Sequence, residues 1–343
     1  MINIGIIGAG RIGRVHCESI NSFIKVAKVK SIADPMLNDE TTEWAKNTGI
    51  ENIYTDYKKI LEDKNIDAVL ICSSTDTHCN IGLEAIKAKK HIFCEKPIDH
   101  DVKKIKKIIS ALKENPQVKF QVGFNRRFDH NFAEVKQAVA KGKIGELNIL
   151  KITSRDPLAP PLDYIKVSGG IFLDMTIHDF DMVRFISDAE VEDVFVMAKA
   201  LADKQVEKAG DVDTAIISMT LSNGALAVID NCRRTSYGYD QRLEAFGSKG
   251  QASISNDTKS TLKLTNEQGV TTEKPLYFFL ERYMQAYVQE IVDFIDAIEK
   301  DKPVSVGVRD GLEPVIIGIA AKKSLEQGRK ISIKEVKTQY NLT

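Results

Sequence analysis

The stretch IGIIGAGRIG, residues 4–13, decides the fold of the first half of this chain. A short apolar run is followed by three glycines in the spacing G-x-G-x-x-G, and a helix-like stretch begins at Arg11. This context predicts a strand, a tight turn and a helix whose first N–H groups can bind phosphate. Gly8 permits the turn, Gly10 lets the backbone approach a pyrophosphate, and Gly13 lets the helix pack closely on the strand. The stretch therefore predicts a dinucleotide-binding site.

Asp34 extends this prediction to the type of dinucleotide. It directly follows the next strand-like run, residues 26–33, about 20 positions beyond Gly13. A carboxylate at this point accepts hydrogen bonds from the adenosine ribose hydroxyls. Pro35 and Met36 come next, so no arginine stands there to hold the 2′-phosphate of NADP. The residues predict NAD as the cofactor, whereas a glycine turn without a ligand would leave Asp34 unexplained.

The pattern of apolar runs divides the chain into two parts. The first part alternates short β-branched runs with helix-like stretches, which predicts a parallel, doubly wound sheet. The second part has a predicted helix at residues 171–186. Alternating strand-like runs follow from residue 194, and the last of them is 261–264. Two predicted helices, at 281–299 and 311–327, close the chain. We predict an α/β protein with a Rossmann dinucleotide-binding domain at residues 1–122. An α+β domain at residues 123–343, with a large, mainly antiparallel open sheet, is expected to bind substrate and build oligomers, and its C-terminal helix is a candidate to pack back on the first domain.

Composition limits the partners of the chain. Its 343 residues include 48 lysines and arginines and 48 aspartates and glutamates, so the formal net charge is zero. This balance argues against a nucleic-acid-binding protein, which usually carries a basic excess. No apolar run approaches the roughly 20 residues that span a bilayer, so we expect no membrane partner. The five cysteines form no C-x-x-C pair, which predicts a cytoplasmic chain without disulfides or a metal site.

Two further positions carry side chains suited to proton transfer. Lys96 follows the strand-like run 91–94, and open α/β sheets bind ligands at the carboxyl ends of their strands. Asp174 and His178 are four residues apart, so within one helix they share a face, and the carboxylate can orient the imidazole as a general base. Each has a structural alternative: Lys96 as a surface lysine, and the other two as a hydrogen-bonded core pair.

These motifs together resemble a known family. The order and spacing are similar, nearly end to end, to the glucose-fructose oxidoreductase/inositol dehydrogenase/rhizopine-catabolism (Gfo/Idh/MocA) family. Residues 237–247, YGYDQRLEAFG, and residues 154–157, SRDP, resemble the inositol 2-dehydrogenase branch in particular. The family-wide resemblance rests on the glycine fingerprint, Glu95-Lys96-Pro97, the stretch QVGFNRRF at 121–128, and Gly169-Gly170 followed by Asp174 and His178.

The resemblance implies roles for individual residues. It implies a catalytic triad of Lys96, Asp174 and His178, with His178 as the base. The implied cofactor-binding residues are Gly8, Gly10, Arg11, Ile12, Gly13, Asp34, Ser73, Glu95 and Lys96. The implied substrate-binding residues are Asn125, Arg126, Asp156, Tyr237 and Tyr283, with Tyr239 as an alternative to Tyr237. For Arg126 and Arg127 an ion pair is the structural alternative, and for Tyr283 it is packing.

The resemblance also implies an activity. It implies NAD-dependent oxidation of a cyclitol ring hydroxyl to a ketone, with myo-inositol converted to 2-keto-myo-inositol. The alternatives are a dehydrogenase for another inositol isomer or a pyranose, a non-catalytic NAD-binding sensor, and an NAD-dependent glycoside hydrolase. Family members commonly build dimers and tetramers on the open sheet face, so we expect a homo-oligomer, specifically a homotetramer, with a small polyol as its partner.

Overall fold

The computed structural model describes residues Met1–Leu342. Contacts group them into two compact units. The first contains Met1–Phe128 and Gln285–Glu313, and the second contains Asp129–Met284 and the residues from Pro314 onward. The division into domains at 1–122 and 123–343 stays a prediction. The grouping by contacts differs from it, because it assigns residues 285–313 to the first unit.

The first unit is built on a six-stranded parallel sheet. Its strands are β1 (Ile2–Ile7), β2 (Ala27–Ala33), β3 (Asn52–Tyr54), β4 (Ala68–Ile71), β5 (His91–Glu95) and β6 (Phe120–Gly123). Every residue of β4 is buried, as expected for a parallel strand covered on both faces. The spatial order β3-β2-β1-β4-β5-β6 reverses direction between β1 and β4. At such a point an open α/β sheet forms a ligand crevice beyond the carboxyl ends of its strands. The predicted Rossmann fold is confirmed.

Helices connect these strands and cover the sheet. They are α1 (Arg11–Phe23), α2 (Asp39–Asn47), α3 (Lys58–Glu62), α4 (Thr75–Lys87) and α5 (Val102–Glu114), and a 3₁₀ turn at Asn125–Phe128 follows β6. The apolar face of α1, which includes Cys17 and Ile20, packs in one core cluster with Ile4 and Ile6 of β1. Asp101 begins α5 by accepting a hydrogen bond from the N–H of Lys103, which satisfies a donor that the helix itself leaves open.

The second unit is built on a mixed sheet of seven strands. These are β7 (Leu147–Arg155), β8 (Val191–Lys199), β9 (Thr214–Leu221), β10 (Leu226–Cys232), β11 (Asp240–Gly247), β12 (Gly250–Ile254) and β15 (Ile331–Ser332), while β13 (Lys263–Asn266) and β14 (Gly269–Thr272) form a separate hairpin. The order is β12-β11-β7-β10-β9-β8-β15. All neighbours pair antiparallel except β7 and β10, which are parallel. The mainly antiparallel sheet is therefore confirmed.

Helices of the second half cover this sheet or join the first unit. They are α6 (His130–Ala140), α7 (Leu162–Val167), α8 (Gly170–Asp174), α9 (Ile177–Ser187), α10 (Lys204–Lys208), α11 (Phe279–Arg282), α12 (Met284–Glu299), α13 (Val308–Gln327) and α14 (Ile333–Gln339). From Gln285 on, α12 belongs to the first unit. Among the described residues, no helix has both the length and the apolar character that crossing a bilayer requires.

Three predicted elements differ from the structure. The helix predicted at 171–186 is interrupted between α8 and α9, because the Thr176 hydroxyl donates to Asn231 Oδ1 at 2.6 Å and its N–H bonds back to the Ile171 carbonyl. The helix predicted at 281–299 is likewise split at Tyr283. Of the strand predicted at 261–264, only Lys263 and Leu264 lie in a strand, and that strand, β13, pairs with β14 in the separate hairpin, whose residues are all exposed.

Candidate active site

The glycine turn has the geometry that a pyrophosphate requires. Gly8 has φ +106°, a left-handed conformation that favours glycine. A Cβ at Gly13 would lie 2.0 Å from the carbonyl oxygen of Gly8, whereas a Cβ at Gly10 would meet nothing within 4 Å. Gly13 is therefore needed for packing, and Gly10 leaves open space at the N-terminus of α1. The turn fits a dinucleotide, since N–H groups at a helix N-terminus bind phosphate.

Asp34 and Ser73 lie beside this turn. Asp34 follows β2, and its carboxylate accepts from the N–H of Ala9 at 2.7 Å and from the N–H of Met36 at 2.8 Å. A carboxylate has lone pairs left for ribose hydroxyls after two such bonds. Ser73 follows β4, and its nitrogen lies 2.6 Å from the place of a Cβ on Gly8. The predicted cofactor residues of β1, β2 and β4 thus meet at one edge of the sheet.

Lys96 and Glu95 occupy the same edge one strand further on. Glu95 ends β5 and is buried, and its Oε2 accepts from the backbone N–H of Lys96 at 3.3 Å. Asn125 and Arg126 lie in the 3₁₀ turn after β6 and are also buried. Arg127 forms an ion pair with Asp310 at 2.9 Å, which is the structural role considered for it. Lys96 therefore stands at the carboxyl end of a parallel strand, as a catalytic role would require.

Asp174 and His178 lie on different helices of the second unit. Asp174 is the last residue of α8, and His178 is the second residue of α9. The expectation that one continuous helix presents both on one face is wrong, because the chain turns at Met175 and Thr176 between them. That Asp174 and His178 act as a pair stays a prediction.

The Asp174 carboxylate has two partners on other elements. Its Oδ1 accepts from the Tyr164 hydroxyl at 3.0 Å, and its Oδ2 accepts from Arg233 Nη2 at 3.0 Å. The Arg233 side chain is 2% exposed and that of Asp174 is 14% exposed. A charged pair with this much burial orients the carboxylate firmly. Arg233 is not among the residues predicted from the sequence, although a charged residue directly after an apolar strand is a signal that points to it.

A buried asparagine ties the start of α9 to the sheet. Asn231 of β10 accepts from Thr176 and donates to Asp179 Oδ2 at 2.9 Å and to the carbonyl of Ser154 at 3.3 Å. Because β7 and β10 are parallel neighbours, their carboxyl ends lie at the same edge. Asp156 follows β7 and donates its N–H to the Cys232 carbonyl at 2.8 Å. Asp156 therefore shares this edge with the start of α9.

Tyr237 is held by charged residues at the start of β11. Its hydroxyl donates to Asp240 Oδ2 at 2.7 Å and accepts from Arg155 at 3.4 Å. Burial and the bond to Asp240 raise the pKa of Tyr237. Burial of Asp240 works toward a higher pKa, but bonds from Arg242, Asn256 and Tyr237 lower it overall. Tyr237 thus has a structural role here, and a substrate role for it stays a prediction.

Tyr283 is a buried aromatic residue of the second unit. It is 2% exposed, and its ring packs edge-on against Tyr239 and under the guanidinium of Arg282. This supports the packing alternative for Tyr283. Contact of Tyr283 or Tyr239 with substrate stays a prediction.

The glycine geometry predicts different effects for two alanine variants. Gly13→Ala should lower stability by about 2 kcal/mol or more, because its Cβ would strike a backbone oxygen that cannot move aside. Gly10→Ala should melt like the native protein, since Gly10 has φ −70° and free space around it, yet its Kd for NAD should rise at least about tenfold because the methyl group occupies the approach to the helix. Thermal melts and calorimetric NAD titrations measure both effects. Native stability of Gly13→Ala, or native NAD affinity of Gly10→Ala, would contradict this reading.

The buried pair predicts coupling between Arg233 and Asp174. Arg233→Met should cost about 2–3 kcal/mol, since it leaves a largely buried carboxylate without its cation, while Tyr164→Phe should cost about 1 kcal/mol or less. Urea unfolding measures these costs in the native and Asp174→Asn backgrounds. The cost of Arg233→Met should shrink in the Asp174→Asn background. An equal cost in both backgrounds would show that the pair does not contribute.

Comparison with known proteins identifies the family. The family model of oxidoreductases with an NAD-binding Rossmann fold, GFO_IDH_MocA, matches residues 2–124, and the model of the GFO/IDH/MocA C-terminal domain matches residues 132–253. The chain is 48% identical to a myo-inositol 2-dehydrogenase of Thermotoga maritima, over 98% of this chain and 99% of that protein. It is 32% identical to a scyllo-inositol 2-dehydrogenase (NAD(+)) of Bacillus subtilis, over 99% of this chain and 98% of that protein.

A solved structure agrees with this result. The scyllo-inositol dehydrogenase of Lactobacillus casei with bound NAD(H) and scyllo-inositol superimposes with a TM-score of 0.91 at 30% identity. The match covers 97% of this chain and 99% of that one. With both family models matched in order, and with the glycine turn and Asp34 in place, the chain belongs to the GFO/IDH/MocA family of NAD-binding oxidoreductases.

Proposed function

We propose that this protein is an NAD-dependent dehydrogenase that oxidises myo-inositol at one ring hydroxyl to 2-keto-myo-inositol. The observation that carries the proposal is the placement of Asp174, held by Arg233 and Tyr164, four residues before His178 at a polar sheet edge. The name of the Thermotoga relative supports myo-inositol as the substrate. The name of the Bacillus relative favours a second candidate, scyllo-inositol, for the same chemistry.

The residues of the first unit bind and orient the cofactor. The N-terminus of α1 and the open space at Gly10 receive the pyrophosphate, and Asp34 accepts from the ribose hydroxyls. When bound there, NAD would supply the acceptor for the hydride that leaves the carbinol carbon. Arg11, Ile12, Ser73 and Glu95 complete the proposed cofactor site around this core.

Three residues manage the proton of the reacting hydroxyl. His178 takes it as general base, and Asp174 orients the imidazole and stabilises its protonated form. Lys96 donates a hydrogen bond to the same oxygen and stabilises the negative charge that develops there. Arg233 acts indirectly, since its ion pair with Asp174 fixes the carboxylate on which His178 depends.

Polar side chains are proposed to read the ring of hydroxyls. Asn125 and Arg126 are buried at the carboxyl edge of the first sheet, and Asp156 and Tyr237 lie at the edge of the second. Tyr283 is the fifth proposed contact. A site built from hydrogen-bonding groups discriminates strongly against a ligand that leaves them unpaired, so these residues are proposed to set the preference between inositol isomers.

A substrate panel tests the proposed function. Protein with NAD is given myo-inositol, scyllo-inositol, D-chiro-inositol, glucose or xylose, and NADH absorbance is followed. The rate should be highest with myo-inositol, and His178→Ala should lose at least about 100-fold in kcat while still binding NAD. Faster turnover of scyllo-inositol would identify this second candidate as the preferred substrate. Native turnover by His178→Ala, or no NADH with any polyol, would refute the proposed chemistry.

We further propose that the open face of the seven-stranded sheet binds a second copy of the chain, in a homodimer or homotetramer. This face exposes large apolar side chains on adjacent strands: Ile149, Met197, Ile216, Leu226 and Phe246. Apolar patches of this kind usually mark interfaces. Light scattering after gel filtration should show an oligomer for the native chain and a smaller species for Ile216→Lys. Leu262→Lys, which changes an exposed residue outside this sheet, serves as the control and should leave the mass unchanged. A native monomer would contradict the proposal.

A cytoplasmic location is also proposed. All five cysteines are free thiols, and four of them are buried. Proteins of oxidising compartments more often pair their cysteines, so the thiols support a reducing environment.

A further inference from the structure

Three buried side chains of the first unit converge behind the edge that carries Lys96. They are His16 of α1, Glu95 of β5 and Glu290 of α12. His16 Nε2 lies 2.7 Å from Glu95 Oε1. One atom from each of the three side chains lies within 4.8 Å of the others. The ring of His16 is fixed by edge-on contacts with Phe93 and Tyr287, so the cluster is rigidly enclosed.

The carboxyl group of Glu290 is buried and makes no hydrogen bond among the described residues. It is 0% exposed, and neither carboxylate oxygen has a hydrogen-bond partner among the residues that the structure describes. Its position is firmly held, because its backbone carbonyl accepts from Gln121 Nε2 at 2.8 Å. An ionised carboxylate in such a place is costly, so the group takes a proton instead. Burial, and then the charge of Glu95, raise the pKa of Glu290 well above its usual value.

The titratable groups recorded beside Glu290 are one imidazole, one carboxylate and one thiol, those of His16, Glu95 and Cys72. The nearby thiols are neutral, since burial raises the pKa of Cys17 to about 12 and that of Cys72 and Cys94 well above its usual value. His16 is already bonded to Glu95. Cys17 on α1 and Cys94 on β5 lie near Cys72, and Tyr287 on α12 packs against the ring of His16.

We propose that Glu290 retains a proton in the folded protein and acts as a neutral hydrogen-bond donor toward Glu95, directly or through one water. Glu290 and His16 then hold the two sides of the Glu95 carboxylate, whose Oε2 receives the N–H of Lys96. Glu290 is thus a positioning residue for Lys96. The positioning role rests on the proposed function, because that function gives Lys96 its catalytic role. The proposal that Glu290 keeps a proton does not depend on the proposed function.

The same three residue types also bind metal ions, but the distance between His16 and Glu95 favours a hydrogen bond over a shared metal ion. Two ligand atoms on a tetrahedral zinc ion, each about 2.1 Å from the metal, are about 3.4 Å apart. His16 Nε2 and Glu95 Oε1 are only 2.7 Å apart, which is the length of a charge-assisted hydrogen bond. The cluster is therefore read as a hydrogen-bonded chain.

The proton on Glu290 is tested by the pH dependence of stability. The folded protein would hold a proton that the unfolded chain releases above about pH 4.3. Stability of the native protein should therefore fall as pH rises from there toward the folded pKa of Glu290. Glu290→Gln has no such proton to hold. Relative to the native protein, its unfolding equilibrium constant should fall by up to about tenfold per pH unit between about pH 5 and 8.

Urea unfolding of the full chain without NAD measures this difference. Glu299→Gln is the matched control, since it changes an exposed glutamate of the same helix, and its curve should run parallel to the native one at all pH values. A difference between Glu290→Gln and native that does not change with pH would overturn the proposal. So would a stoichiometric divalent metal in the purified native protein that Glu290→Gln loses.

The positioning of Lys96 is tested by turnover. Glu290→Gln, which keeps a neutral donor of the same shape, should retain kcat within about threefold of native, whereas Glu290→Met should lower kcat about tenfold or more with little change in the KM for NAD. Activities are referred to the folded fraction, determined by NAD binding. Native kcat in Glu290→Met, or a loss in Glu290→Gln as large as in Glu290→Met, would overturn the positioning role. If the native protein oxidises no inositol, the proposed function has failed, and the unfolding experiment still decides whether Glu290 holds its proton.

Discussion

The first unit depends on a close approach of backbone to backbone. A Cβ at Gly13 would lie 2.0 Å from the carbonyl oxygen of Gly8, and a Cβ at Gly8 would lie 2.6 Å from the backbone of Cys72. The strand β1, the turn, the helix α1 and the end of β4 therefore touch without intervening side chains. This steric constraint places the N-terminus of α1 at the sheet edge where Asp34 follows β2 and Lys96 follows β5. The cofactor site is a consequence of packing that only glycine permits.

In the second unit, hydrogen bonds position the polar residues at the sheet edge. Apolar packing of α9 on the sheet leaves the rotation of the helix poorly determined, because dispersion and hydrophobic contacts have little direction. Asn231 supplies the direction, since it bonds to Thr176 and Asp179 at the start of α9 and to the Ser154 carbonyl of the neighbouring strand. Arg233 follows two residues later, directly after β10, and binds Asp174. The parallel pair of β7 and β10 in an otherwise antiparallel sheet is what brings these groups to one edge.

Sequence predicts those parts of the molecule that depend on local pattern. The glycine turn, the apolar strands and the polar residues that follow them were found because each is encoded within a few consecutive residues. The helix α2 was not predicted, because its sequence DETTEWAKN buries only two residues, and β15 has only two residues of its own. The break before α9 depends on Asn231, which is remote in sequence. Arg233 and Glu290 were missed for the same reason, since burial of a charged residue depends on what the rest of the chain packs against it.

The neighbours of a buried carboxyl group determine whether it is ionised or protonated. In the second unit Asp129 faces Arg282 at 3.0 Å and Asp174 faces Arg233 at 3.0 Å, so each of these carboxylates has a cation beside it. In the first unit Glu290 instead lies beside the carboxylate of Glu95, the imidazole of His16 and the thiol of Cys72, and His16 is itself bonded to Glu95. A desolvated carboxylate must be paired or neutral, so the two aspartates are paired with arginines, whereas Glu290 is the one proposed to keep its proton. The difference is set by the neighbours that separate strands and helices of the same unit bring beside each carboxyl group.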